Sequence, residues 1–175
     1  MQKAYLIFIL ILTFSCSQKD NRIKKFEKIL GEKQTKALNS LVSDFEKNLD
    51  KLYPDLSTDQ AYRKYLTDII SDSITNWEKF KFQSYKTNSE FHQSGLWNEI
   101  YVKDSIHGLQ VNSIGKYLEA LFNVRDSDSL VKKYWDIREA GGLLQNELFV
   151  NGVLSSNPDF NNYFHKRIVV LEFSF

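Results

Sequence analysis

The chain has 175 residues, with 23 lysines and arginines against 22 aspartates and glutamates. A balance this close gives no electrostatic ground for binding nucleic acid or an anionic surface. Thirteen phenylalanines, nine tyrosines and three tryptophans stand against only two prolines and seven glycines. Few breakers between long periodic segments favour helices over a many-stranded sandwich, so the expected fold class is all-α, a compact multi-helix bundle.

Residues 1–16 differ in kind from the rest. Lys3 gives a positive start, Ala4 to Phe14 is almost wholly apolar, and Ser15-Cys16 follows. The run is shorter than the roughly 20 residues of a membrane-spanning helix. It has the charged start, greasy centre and small residue of a secretory signal peptide. Cys16 is the only cysteine, so no internal disulfide can form. With Leu12-Thr13-Phe14-Ser15 ahead of it, the segment resembles a bacterial lipoprotein signal, in the looser Ser-Cys-Ser form of the Bacteroidetes group. Thr13 and Phe14 depart from the leucine and small residue that the family pattern prefers; Ser15 fits. The resemblance implies acylation of Cys16 and cleavage before it. The chain then divides into a signal peptide (1–15), a lipidated tether (16–21) and a single helical domain (22–175). The implied location is the cell envelope at the outer membrane. The implied partners are the membrane, through the anchor, and an envelope protein; no nucleic acid and no cofactor are expected.

Asn21 to Leu30 reads as a short basic helix with Ile23, Phe26, Ile29 and Leu30 on one side, interrupted at Gly31. The next helix spans about Glu32 to Leu52, with the stripe Leu38, Leu41, Val42, Phe45, Leu49 and Leu52. Pro54 closes it. Ser57 and Gln60 have capping-box spacing. They open the helix that organises the chain, whose stripe is Tyr62, Leu66, Ile69, Ile70, Ile74 and Trp77. The link between these two helices is short, so they should be antiparallel neighbours. An aspartate at Phe45 or Ile70 is expected to threaten the fold.

Residues 82–110 carry the weakest pattern. Leu96, Ile100 and Tyr101 suit a short helix after Gly95, whereas Trp97 to Val102 suits a minor extended segment. Helical spacing returns over about Asn112 to Asn123, with Ile114, Tyr117, Leu118, Leu121 and Phe122. Asp126 or Ser127 is a candidate cap for a helix carrying Leu130, Val131, Tyr134, Trp135 and Ile137, broken at Gly141-Gly142. Leu143 to Leu154 forms a further helix. Asn157-Pro158 has the form of a cap followed by proline. The last helix carries Phe160, Tyr163, Phe164, Ile168 and Leu171. Residues 168–175 are β-branched and aromatic enough for a strand, with helix the favoured reading.

Chemistry is thin. No two of His92, His107 and His165 have helical zinc spacing, no P-loop is present, and no Gly-x-Ser-x-Gly elbow occurs. Asp104, Ser105 and His107 form a weak nucleophile–base–acid set, and Glu99 with Asp104 a weak carboxylate pair. No catalytic, metal or cofactor residues are assigned. His165, beside Lys166 and Arg167, reads as a helix-surface residue. Trp77, Trp97 and Trp135 read as packing anchors. The candidate partner-binding set is Phe91, His92, Trp97, Glu99 and Tyr101, because aromatic groups with polar neighbours make good interface anchors. The leading expectation is a non-enzymatic accessory or protein-binding lipoprotein. The alternative is a binder of an apolar ligand or glycan, with an envelope hydrolase third.

Overall fold

The computed structural model describes residues 21–105 and 108–174, and of residues 72–76 the backbone alone. The signal peptide, Cys16, the tether up to residue 20, His107 and the Ile74 side chain therefore lie outside the described residues. The protein is a helical bundle with one small antiparallel hairpin inserted. Helix α1 covers residues 21–30. It is followed by α2 (Glu32–Leu52), α3 (Thr58–Asn76) and a single 3-10 turn (Trp77–Phe80). Then come α4 (Tyr85–Gln93), α5 (Leu96–Ile100) and the hairpin of β1 (Tyr101–Asp104) and β2 (Gly108–Val111). Helices α6 (Lys116–Phe122), α7 (Ser129–Gly141), α8 (Asn146–Ser155) and α9 (Tyr163–Glu172) complete the order. Among these described helices, none is long and apolar enough to cross a membrane.

The break between α1 and α2 has a local cause. Gly31 sits at φ +101°, a conformation that side-chain-bearing residues avoid, and a Cβ there would lie 2.6 Å from Gln34 Oε1. Helix α3 begins as its sequence requires. The Gln60 side chain accepts from the Ser57 amide (3.1 Å) and hydroxyl (3.0 Å). Five of the six stripe residues of α2 are buried, and Leu52 is half-buried. Phe45 is fully buried and its ring meets Tyr62, Tyr65 and Phe82 at 4.7–5.1 Å between centroids. Tyr65 thus joins Tyr62, Leu66 and Ile69 in the buried face of α3, whereas Ile70 is half-buried and Trp77 is 40% exposed. An aspartate at Ile70 is accordingly expected to do less harm than one at Phe45.

Two open stretches are resolved and three expectations are corrected. Residues 82–110 contain α4, whose N-cap Ser84 accepts from the Thr87 amide, so this stretch is ordered by local capping and not by a long apolar stripe. Between 96 and 104 both readings hold in sequence: a helical turn runs to Ile100 and the strand begins at Tyr101. Ile114 is 93% exposed in the turn before α6, because α6 starts only at Lys116. The cap of α7 is Asp128, which accepts from the Leu130 and Val131 amides; Arg125–Ser127 forms a 3-10 turn ahead of it. The cap of α9 is Asn162, not Asn157. Residues 163–172 are helical, as favoured, and 168–174 contain no strand.

The close seam between α5 and α6 depends on Gly115. A Cβ there would lie 2.1 Å from the Glu99 carbonyl oxygen, which is backbone and cannot swing away. Gly115→Ala is therefore expected to cost about 1–3 kcal/mol through forced displacement of the seam. A lowered denaturant midpoint with unchanged slope is the measurement.

Candidate functional site

The five candidate partner-binding residues are close in space but divide in role. Phe91 and Tyr101 are core residues, 0% and 1% exposed. Tyr101 also donates its hydroxyl to the Leu171 carbonyl at 3.3 Å. Glu99 accepts from the Lys116 amide at 2.8 Å, so it serves the start of α6. Trp97 is half-buried among Phe91, His92 and Tyr101, with centroids 4.8–5.8 Å away. A partner approaching this face would meet His92 and the free side of Trp97, not Phe91 or Tyr101. Of the weak hydrolytic set, Asp104 closes β1 opposite Gly108 and Ser105 is exposed in the turn. Among the described residues there is no group of three or more potential metal ligands.

Two buried polar clusters escaped sequence reading. His165 is only 8% exposed, which corrects its placement on the helix surface. Its Nε2 lies 3.1 Å from both Asp128 oxygens, and its Nδ1 accepts from the Asp159 amide at 3.0 Å. Burial pushes the Asp128 carboxyl up, but the histidine and the two α7 amides outweigh it and hold it below the usual range. Both imidazole nitrogens are engaged, so this pair ties the start of α7 to α9 and offers no free base. The second cluster joins α7 to α9. Arg138 Nη2 meets Glu172 Oε1 at 2.5 Å, with side chains 1% and 4% exposed. The Tyr134 hydroxyl donates to the same oxygen at 2.6 Å, and Arg138 Nε donates to Tyr134 at 3.1 Å. Burial raises the Glu172 carboxyl, while Arg138 and Tyr134 pull it back. No signal marks Arg138 and Glu172 in the sequence, because a charged residue inside an apolar stripe looks the same whether paired or exposed.

Two concavities among the described residues bear on binding. The first, about 570 Å³, lies between α2 and the start of α4 and is ringed by Lys47, Lys51, Lys81 and Lys86. Its centre is already neutralised: Asp44 accepts from the Ser84 amide at 3.0 Å, filling the positive end of α4. Burial pushes the Asp44 carboxyl up, but hydrogen bonds from Thr87, Ser84 and Lys47 outweigh it and set its pKa at about 2. A lowered native value means that its contribution is complete above the unfolded value of 3.8 and is lost as the pH falls towards 2. The stability gap between the parent protein and Asp44→Asn is thus expected to narrow from pH 5 to pH 2, as followed by urea unfolding.

The second concavity is a cleft between α7 and α8 of about 250 Å³. Leu130, Tyr134 and Ile137 form its α7 wall; Leu144, Leu148, Phe149, Gly152, Val153 and Ser156 form the other. Leu148 and Gly152 stand four residues apart on α8, with Ser156 at its C-cap, beside the core row Phe149, Val150 and Val153. Periodicity marks that side as apolar and small but does not show that it faces an open slot. Leu148 is 65% exposed and Ile137 37% at its rim. Lys133 is the only charged side chain among the described residues that line it. Its ammonium reaches the Gly152 carbonyl at 3.4 Å and the Ser156 hydroxyl at 3.3 Å, and it has no carboxylate partner among the described residues. No protein-family model matches the chain, and no curated protein or solved structure shows significant similarity to it.

Proposed function

We propose that this chain is a lipid-anchored accessory protein of the bacterial cell envelope, and that its helical domain acts by binding an apolar group in the α7–α8 cleft. The leader and Cys16 support the anchor. Several acyl chains at about 0.8 kcal/mol per buried methylene would hold the domain at the outer-membrane surface. The observation that carries the binding role is the cleft itself. It is concave and apolar, and it leaves Leu148 and Ile137 facing water, where burial by an incoming group would be favourable. The occupant under this reading is an apolar side chain of an envelope protein, with His92 and Trp97 a second available face. The test is co-purification from native membranes of the acylated chain carrying a photo-crosslinker at Leu148, against the same chain with Cys16→Ala. One stoichiometric envelope protein joined at Leu148 only in the lipidated form is expected. A folded, lipidated preparation that joins none, at Leu148 or at His92, would remove the protein-binding reading. Lys133 favours a second reading, a small ligand with an apolar body.

A further inference from the structure

We infer that the α7–α8 cleft is a site for a medium-chain amphiphile with a carboxylate head, the tail lying along Leu130, Ile137 and Leu148 and the head at Lys133. The inference rests on the reading of the domain as a binding module and gives its ligand a chemical class.

The argument begins with shape. The cleft holds about 250 Å³, just under the roughly 300–1,000 Å³ of typical small-molecule sites. It is a slot between two helices, so one unbranched tail suits it better than a multi-ring body. Its walls are aliphatic and aromatic, and such surface gains from excluding water in proportion to area. Gly152 supplies the depth: it is helical, and a Cβ there would meet no atom within 4 Å. The charge sits at one end. Lys133 bridges from α7 to the last turn of α8 through two long hydrogen bonds, and one carboxylate would complete its donor set with a charge-assisted bond. The Ser156 hydroxyl, already donating to Gly152 at 2.8 Å, keeps a lone pair beside that ammonium and holds it at the mouth. A purely apolar ligand would leave this cation unused, and a hydrophilic anion would leave the walls wet. An amphiphilic carboxylate satisfies both ends.

The test uses the mature lipidated chain in lipid nanodiscs with Leu148→Cys. Acylated Cys16 carries no free thiol, so Cys labelling by a water-soluble maleimide then reports the cleft rim alone; the mass of the mature N-terminus checks the acylation separately. Decanoate is expected to slow labelling saturably, and butyrate to leave it unchanged. Lys133→Gln should raise the decanoate concentration for half-protection about tenfold, the loss of one charge-assisted contact, without altering protection by 1-decanol. Gly152→Leu should abolish protection by both while keeping or raising the melting temperature, because it fills the slot and replaces a helical glycine. Absence of saturable protection, or equal protection in the folded Gly152→Leu protein, would overturn the site. Decanoate protection unchanged by Lys133→Gln would overturn the carboxylate head. A crosslinked envelope protein at Leu148, with no decanoate protection, would sink this inference alone and leave the binding role standing.

Discussion

Arg138→Met is expected to destabilise the domain by about 3–5 kcal/mol, the usual cost of removing one partner from a buried ion pair. That is about a fifth or more of the roughly 5–15 kcal/mol that holds a domain folded. The size follows from what is left behind. Glu172 is 5% exposed, and Tyr134 is its only other hydrogen-bond donor among the described residues. Without the guanidinium its carboxylate would be charged in an apolar interior, or it would take up a proton. Burial already raises the Glu172 carboxyl, and losing Arg138 raises it further. A group whose native pKa stands above its unfolded value contributes least at high pH, so the variant should lose stability as the pH rises from about 4.5, the unfolded value. Urea unfolding at pH 4 and pH 8 checks both parts, with the larger deficit at pH 8. The double variant Arg138→Met with Glu172→Leu should recover much of the loss, because no uncompensated charge remains. A deficit that is equal at both pH values would mean that the arginine acts through packing on the Tyr134 and Tyr101 rings, whose centroids lie 5.7 and 5.8 Å away.

Phe45→Ala is expected to cost about 3–5 kcal/mol, the range for deleting a buried phenylalanine. The ring is fully buried where α2, α3 and the segment before α4 meet, and it touches three other aromatic rings edge-on or tilted. Collapse of the cavity is hindered, because Tyr65 is held by its hydroxyl on the Phe80 carbonyl and Tyr62 stacks on Phe160 at 4.8 Å. The neighbours cannot follow without giving up those contacts. A lower denaturant midpoint with an unchanged slope is the readout. Phe45→Leu, which restores most of the volume, should recover more than half of the loss; failure to do so would assign the effect to ring geometry.

Most of the helical body was legible. Helix α2 falls at the expected residues because Gly31, the six-residue apolar stripe and Pro54 are all local signals. The start of α3 was legible for the same reason. Ile114 was misread because its spacing fits the α6 stripe, while the backbone there is held by Asn112, whose carboxamide oxygen accepts from the Ile114 amide at 3.3 Å. Asp128 and Asn162 each compete with equally plausible capping residues a few positions away, and tertiary partners decide: His165 and the Asn162 side chain both reach Asp128. The candidate site was less legible than the fold. Aromatic residues at 91–101 drew attention by composition, yet Phe91 and Tyr101 are consumed by the core. Whether an apolar residue faces a neighbour or an empty slot depends on where two helices are held apart, which periodicity does not encode.

Helix α9 has seven of its ten residues buried. It packs against α2 and α7 and reaches back to Glu27 and Glu46 through Tyr163 and Lys166. The central strut of the bundle is therefore made after the eight described α-helices that precede it. A ribosome delivers α1 to α8 first, with the apolar sides of α2 and α7 still uncovered. The growing chain cannot settle into a finished fold until α9 has emerged. Until α9 is made, those uncovered sides are the surfaces most open to misassociation between unfinished chains.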